Sequence, residues 1–102
     1  MTAKKLSAAL ALPLLLTSIG ASADLLSDIT AHGDLKCAVY SDVPPFSSPD
    51  VKTRQLVGMD VDLCTALAEK MGLKLTLVPT SVEARIAVIA TGRADVLIAN
   101  LA

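Results

Sequence analysis

The chain alternates between stretches whose apolar residues recur every three to four positions and stretches in which they recur every second position, which predicts alternating helices and strands. Residues 24–31 show the helical spacing and precede Gly33, which predicts a short first helix. Residues 35–40 lie between polar turns and predict the first strand. Residues 41–55 contain three prolines and several small polar residues. We expect a long loop there, and long loops inside compact domains are usually functional.

The longest predicted helix begins at Asp60 and ends at Gly72, because its apolar residues form one stripe while charged residues face water. A strand is predicted to follow at residues 73–78 and to end at Pro79, since proline disfavours continuation of a regular element. The stripe of the helix comprises Val61, Cys64, Leu67, Ala68 and Met71.

The last third of the chain predicts one more helix and a buried strand. Thr80 and Glu83 stand three positions apart, as in a capping box that starts a helix, and Gly92 ends that helix. Residues 96–99 are apolar throughout, which is typical of a central strand covered on both faces of a parallel sheet. The resulting order of strand, helix, strand, helix, strand predicts an open parallel α/β sheet. The buried face of the second long helix is predicted to comprise Val82, Ile86 and Ile89.

The first 23 residues have the layout of a secretion signal. Two lysines precede an apolar run at residues 6–16, and residues 21–23 read Ala-Ser-Ala. The run is shorter than the roughly 20 residues that a membrane-spanning helix needs, and Pro13 interrupts it. We therefore expect cleavage before Asp24 and export of residues 24–102 to the periplasm, without a lipid anchor because position 24 is not a cysteine.

Removal of the two N-terminal lysines leaves seven basic and ten acidic residues, so the exported chain carries a net charge of about −3. The absence of a basic cluster gives no reason to expect a nucleic acid or an anionic membrane as a partner. Cys37 and Cys64 are the only cysteines. The exported context permits a disulfide between them, but the pattern favours two buried thiols. With His32 as the single histidine and no Cys-x-x-Cys pair, no metal site is expected.

Four short motifs lie between residue 35 and the end of the sequence. They are Pro44-Pro45-Phe46, Gly58-Met59-Asp60-Val61-Asp62-Leu63-Cys64, Arg85-Ile86 and Gly92-Arg93-Ala94-Asp95-Val96. Together they resemble the bacterial solute-binding proteins of family 3, the periplasmic components of amino-acid ABC importers. The resemblance implies that residues 24–102 form part of the first lobe of such a protein. It further implies a monomer that needs no cofactor and delivers an amino acid or a similar small polar solute to a membrane permease.

In open α/β sheets, ligands bind outside the carboxyl ends of the strands, and the resemblance selects the same loops. Asp42 either accepts the ammonium or basic side chain of a ligand or forms a turn. Phe46 either walls the pocket or fills the core beneath the loop. Many relatives have a stacking aromatic where this chain has Val43, which leaves Tyr40 as a substitute. Arg85 either lines the cleft or, in the favoured interpretation, bridges to a nearby carboxylate.

Residues 100–102 correspond to a segment whose backbone amides and hydroxyl bind the ligand carboxylate in relatives, which makes Asn100 a candidate ligand residue. Ala102 stands at the hydroxyl position, and the arginine that follows in relatives lies beyond this sequence. Asp60 and Asp62 could be taken for a catalytic pair. At a helix start, they are better explained by capping free amides and opposing the helix dipole. We therefore expect a non-enzymatic binding protein whose binding is weakened in a chain of this length.

Two other classes of protein share this fold, and fold alone does not separate them. One is an exported dehydratase of the cyclohexadienyl or prephenate type, and the other is the sensor domain of a larger exported protein. The coding sequence beyond codon 102 would discriminate among the three. A Thr-x-x-Arg motif and a second lobe would favour binding, added acid and base residues in the cleft would favour an enzyme, and a membrane helix would favour a sensor.

Overall fold

The computed structural model of the chain describes residues 21–100, with side chains from Leu25 onward. Most of the predicted secretion signal, and Ala102, lie outside the described residues. No helix in residues 21–100 is both long and apolar enough to cross a membrane. The elements in this range are α1 (Ala21–His32), β1 (Asp34–Tyr40), β2 (Ser48–Pro49), β3 (Leu56–Val57), α2 (Met59–Met71), β4 (Lys74–Thr80), α3 (Arg85–Ala90) and β5 (Val96–Leu97).

Three parallel strands form the main sheet in the order β4-β1-β5, while β2, inside the predicted loop, and β3, just after it, form a separate antiparallel hairpin. β1 and β4 pair along their whole length, from Asp34 opposite Lys74 to Tyr40 opposite Thr80. β5 pairs with β1 over two residues. Parallel neighbours need crossover connections, and the segments that contain α2 and α3 supply them. The predicted open parallel α/β sheet is confirmed.

The central strand of the described sheet is β1, whereas residues 96–99, which were predicted to form a central strand, contribute its edge strand β5. β1 lies between β4 and β5, and its residues 37–40 are buried. Within residues 21–100, β5 pairs with β1 alone, and residues 96–99 are half-buried. An apolar run indicates that both faces of a strand are covered but does not indicate how many strands flank it.

β4 continues through Pro79 to Thr80, so the prediction that Pro79 ends this strand was wrong. Pro79 lies in register opposite Val39 of β1. Because β4 is an edge strand of the described sheet, it tolerates a residue that lacks a backbone N–H. The extra length places Thr80, which is buried, at the carboxyl end of β4.

α2 confirms the predicted helix to within one residue at its start, and Gly72 ends it with φ 67° in the left-handed region. Cys64 on the buried stripe of α2 forms a disulfide with Cys37 of β1, with 6.1 Å between their Cα atoms. The preference for two thiols was therefore wrong. α2 packs directly on β1, and this contact brings together two side chains that are both fully buried.

The two faces of β1 bury two separate clusters, as the period of two of a strand requires. Cys37 and Val39 lie on the face that α2 covers through Cys64. Ala38 lies on the opposite face, in a cluster with Val88 of α3 and Ala94. The sheet thus has a helix on each face, which is the layered arrangement of an α/β protein.

α3 begins at Arg85 and not within the predicted capping box at residues 80–83. The box does not form, because Thr80 belongs to β4 and the Ser81 hydroxyl accepts a hydrogen bond, at 3.1 Å, from the backbone amide three residues later. With this later start, Val88 is the residue of α3 that faces the core. The predicted buried face was wrong, since the exposed fractions are 42% for Val82, 62% for Ile86 and 38% for Ile89.

Candidate ligand site

The carboxyl ends of the three parallel strands meet at one edge of the sheet. Tyr40 at the end of β1 pairs with Thr80 at the end of β4, and the Ser41 amide donates to the Thr80 carbonyl at 2.9 Å. The Tyr40 hydroxyl donates to the backbone carbonyl of Asn100, which follows β5. The structure thus brings the predicted residues Tyr40 and Asn100 together. Tyr40 is buried and uses its hydroxyl to position the segment after β5; direct stacking of its ring on a ligand stays a prediction.

Asp42 and Phe46 lie in the segment that leaves this edge. Asp42 is exposed two residues beyond the end of β1. Residues 43–47 then form a compact turn, referred to below as the 43–47 turn, in which the Pro44–Pro45 peptide is cis. The Val43 amide donates to the Ser47 carbonyl at 2.7 Å, and the amides of Ser47 and Phe46 donate back to the Val43 carbonyl at 3.0 and 2.9 Å. Asp42 is therefore attached to a rigid unit.

The 43–47 turn is hydrogen-bonded to the start of α2. The amide of Met59 donates to the Pro45 carbonyl at 3.3 Å, and the amide of Asp60 donates to the Phe46 carbonyl at 2.9 Å. These carbonyls satisfy free amides of the first helical turn. Gly58 permits the approach: its φ is 136°, and a Cβ atom there would lie 2.3 Å from the Phe46 oxygen.

Backbone carbonyls, and not aspartate side chains, satisfy the amides at the start of α2. The N-cap residue is Gly58, which makes no side-chain hydrogen bond, so the prediction that Asp60 and Asp62 cap amides was wrong. Both residues lie in the first turn, where a negative charge opposes the helix dipole as expected. Asp62 is exposed, whereas Asp60 is only 5% exposed and its Oδ2 has no hydrogen-bond partner within residues 21–100. Burial raises the pKa of the Asp60 carboxyl.

Arg85 lies at the start of α3, beyond the carboxyl end of β4, and is half-buried. Its Nη1 donates to the Val82 carbonyl at 2.6 Å. Its Nε is buried and has no hydrogen-bond partner among the described residues. The favoured interpretation, a bridge from Arg85 to a nearby carboxylate, stays a prediction, because the hydrogen bond described for Arg85 goes to a backbone carbonyl. Because Arg85 is half-buried, an anionic group can approach the accessible part of its side chain.

A separate cleft of about 180 Å³ lies at the opposite edge of the sheet, and it includes Asp34 at the start of β1 and Asp95 just before β5. His32, at the end of α1, also lines this cleft. In open parallel sheets, ligands bind at the carboxyl ends of strands, so the cleft is on the wrong side for that purpose. No group of three or more His, Cys, Asp or Glu side chains within residues 21–100 is arranged to hold a metal ion.

A family profile describes the chain from β1 to its end. The profile of the bacterial extracellular solute-binding proteins, family 3, matches residues 35–102. The chain belongs to this family. It is 36% identical over 104 residues to the general L-amino acid-binding periplasmic protein AapJ of Rhizobium johnstonii, and the aligned region covers 98% of this chain and 30% of AapJ. It is 35% identical over 83 residues to the glutamate/glutamine/aspartate/asparagine-binding protein BztA of Rhodobacter capsulatus, which covers 78% of the chain and 24% of BztA.

Solved structures show the same fold. The ancestral cationic amino acid solute-binding protein AncCDT-1 superposes with a TM-score of 0.69 at 36% identity, over 72% of this chain and 32% of that one. The arginine-bound form of domain 1 from TmArgBP superposes with a TM-score of 0.67 at 32% identity, over 71% of this chain and 56% of that domain. An ancestral cyclohexadienyl dehydratase, AncCDT-3, superposes with a TM-score of 0.68 at 28% identity, over 72% of this chain and 30% of that one. The chain thus spans about a third of two of these structures and about half of the single domain.

Proposed function

We propose that this chain supplies first-lobe contacts to a periplasmic site for a free amino acid, which an ABC-type permease then imports. The observation that carries the proposal is the position of Arg85, which lies half-buried beyond the carboxyl end of β4 and donates a hydrogen bond to a backbone carbonyl. Asp42 is exposed beyond the carboxyl end of the neighbouring strand β1. An amino acid carries one carboxylate and one ammonium group, so the two side chains match its charges: Arg85 receives the carboxylate and Asp42 the ammonium.

The names of the relatives support an amino acid as the ligand. AapJ and BztA are amino-acid-binding proteins, and domain 1 of TmArgBP has been solved with arginine bound. The last of these indicates that a single domain with this fold can hold a ligand. The relatives differ in the amino acids that they bind, so the proposal extends to the class of amino acids and not to one of them.

The expected affinity of the chain is low. Each charge-assisted hydrogen bond contributes roughly 1.5 to 3 kcal/mol, so Arg85 and Asp42 together supply about 3 to 6 kcal/mol. A micromolar dissociation constant requires about 8.2 kcal/mol and a millimolar one about 4.1 kcal/mol. We therefore expect millimolar binding by this chain, and tighter binding wherever a second lobe closes on the same ligand.

Amide chemical-shift mapping by NMR tests the proposal. The ¹⁵N-labelled chain is titrated with each of the 20 amino acids up to tens of millimolar. We expect shifts at Asp42 and at residues 81–85 for at least one amino acid, and their loss in Arg85→Gln. Arg93→Gln is the matched control, because Arg93 is exposed beyond the end of α3. If no amino acid shifts these residues, or if the control loses binding as Arg85→Gln does, the proposal is wrong.

A dehydratase is the second candidate, because AncCDT-3 superposes as well as the binding proteins do. We propose binding without catalysis for this chain. His32, its single histidine, lies at the end of α1 and lines the cleft of about 180 Å³ at the opposite edge of the sheet, so it is remote from the proposed site. Incubation of the chain with prephenate should leave the substrate unchanged. Dehydration that disappears in Asp42→Asn would replace the binding proposal with an enzymatic one.

A further inference from the structure

Two buried polar side chains lie beside the hydrogen bond that joins the 43–47 turn to α2. The Asp60 amide donates to the Phe46 carbonyl at 2.9 Å. Ser47 follows Phe46 directly, so its side chain and that of Asp60 both start next to this bond. Ser47 is fully buried and Asp60 is 5% exposed. Neither Ser47 Oγ nor Asp60 Oδ2 has a hydrogen-bond partner within residues 21–100.

Buried polar atoms are almost always hydrogen-bonded, to protein or to ordered water. Little in the surroundings of Asp60 can serve as a charged partner. The 43–47 turn and β3 contain no titratable side chain. Asp62 on the same helix and Asp42 before the turn are exposed and acidic. At the amino end of β1, Asp34 bonds to Thr76, and Lys36 is exposed. A small neutral molecule that both donates and accepts therefore suits this position better than a cation does.

We propose that Ser47 and Asp60 share one buried water molecule, and that this bridge makes both of them positioning residues for the 43–47 turn and for Asp42 before it. The two backbone hydrogen bonds from α2 hold Pro45 and Phe46 by their carbonyls. A side-chain bridge attaches the far end of the turn at Ser47 as well. α2 then holds the turn at Ser47 as well as at Pro45 and Phe46, and the hydrogen bonds between Val43 and Ser47 pass this restraint on to Asp42, which immediately precedes the turn. The second part of the inference rests on the proposed function.

Hydrogen exchange and water NOE measurements by NMR on the full chain test the bridge without any ligand. In the wild-type protein, we expect a long-lived water NOE to the amides of Ser47 or Asp60. Asp60→Asn retains polar oxygen and nitrogen atoms and should keep the slow exchange of the Asp60 amide. Asp60→Leu and Ser47→Ala should accelerate hydrogen exchange at the amide of residue 60 about fivefold to tenfold, as expected for the loss of one hydrogen bond. Asp62→Leu is the matched control on the same helical turn.

The outcomes decide each part separately. The bridge is overturned if Ser47→Ala and Asp60→Leu exchange like the wild type, or if a high-resolution crystal structure places a cation or no water between Ser47 and Asp60. Should Asp60→Leu fail to fold, Ser47→Ala and the wild-type NOE still decide. The positioning role requires that Ser47→Ala weaken binding of the amino acid that gives the largest NMR shifts by at least about threefold, with Asp60→Asn unchanged. Unchanged binding in Ser47→Ala would overturn the positioning role. If the wild-type protein binds no amino acid at all, the proposed function is contradicted, and the hydrogen-exchange result still decides whether the water bridge exists.

Discussion

Reduction of the Cys37–Cys64 disulfide should lower the free energy of unfolding by about 3.5 kcal/mol. The bridge joins residues 27 positions apart, and the loss of loop-closure entropy for a chain segment of that length corresponds to about 3.5 kcal/mol at 25 °C. Both side chains lie in the buried cluster between β1 and α2. The reduced thiols therefore remain packed as small apolar groups, and the change comes mainly from the unfolded chain.

Urea unfolding of the oxidised and reduced protein, followed by circular dichroism, measures this difference. With a denaturant slope of about 1 kcal/mol per molar urea for a small domain, the midpoint should fall by about 3.5 M. A chain with so small a core is expected to be marginally stable, so if the oxidised midpoint lies below about 3.5 M urea, the reduced form should be largely unfolded already in water. The Cys37→Ala/Cys64→Ala double variant should not respond to reductant. A loss below about 1 kcal/mol, or free thiols in the oxidised protein after denaturation, would refute the reasoning.

Three further predictions concern other parts of the chain. Gly58→Ala should lower the free energy of unfolding in urea by at least about 2 kcal/mol, because the new Cβ would overlap the Phe46 oxygen. Gly92→Ala is the control: its φ is 74° but the space around it is open, so it should lower that free energy by about 1 kcal/mol. Equal losses in the two variants would contradict this prediction. Burial raises the pKa of the Asp60 carboxyl, so the folded state binds this proton more tightly than the unfolded chain does. The free energy of unfolding should therefore rise as the pH falls from neutral towards about 4. Asp60→Asn should remove this rise, and an unchanged pH profile in the variant would exclude Asp60 as its origin. Mass spectrometry of the periplasmic fraction should find a chain that begins at Asp24, and uncleaved protein in the inner membrane would count against export.

Local patterns predicted those parts of the fold whose cause is local. The stripe of α2 and its end at Gly72 follow from helical periodicity and from the left-handed conformation that glycine adopts readily. The order of parallel strands and crossovers follows from the alternation of the two periodicities. The start of α3 was misplaced, because Thr80 was assigned to a capping box although it completes β4. Pairing with β1 outweighed the local capping preference.

Contacts between distant segments were only partly accessible from the sequence. The central position of β1 and the disulfide between β1 and α2 both depend on how separated elements pack. In the candidate site, the strand-end rule selected Tyr40, Asp42 and Asn100, which the structure places at one edge. Ser47 was missed, because a serine in a polar, proline-rich segment carries no signal of burial. The free Nε of Arg85 was likewise invisible, since a sequence does not indicate which carboxylates an arginine can reach.

The most direct test of the central claim pairs changes in the protein with changes in the ligand. Dissociation constants are measured by NMR for the amino acid that gives the largest shifts, for its carboxamide, which lacks the carboxylate, and for its N-acetyl derivative, which lacks the ammonium. The account predicts that Arg85→Gln weakens binding of the amino acid about tenfold or more, equivalent to about 1.4 kcal/mol, but does not weaken binding of the carboxamide further. Asp42→Asn should show the same selectivity for the N-acetyl derivative. Equal losses for all three ligands would contradict the assignment of Arg85 and Asp42 to the two charges of a bound amino acid.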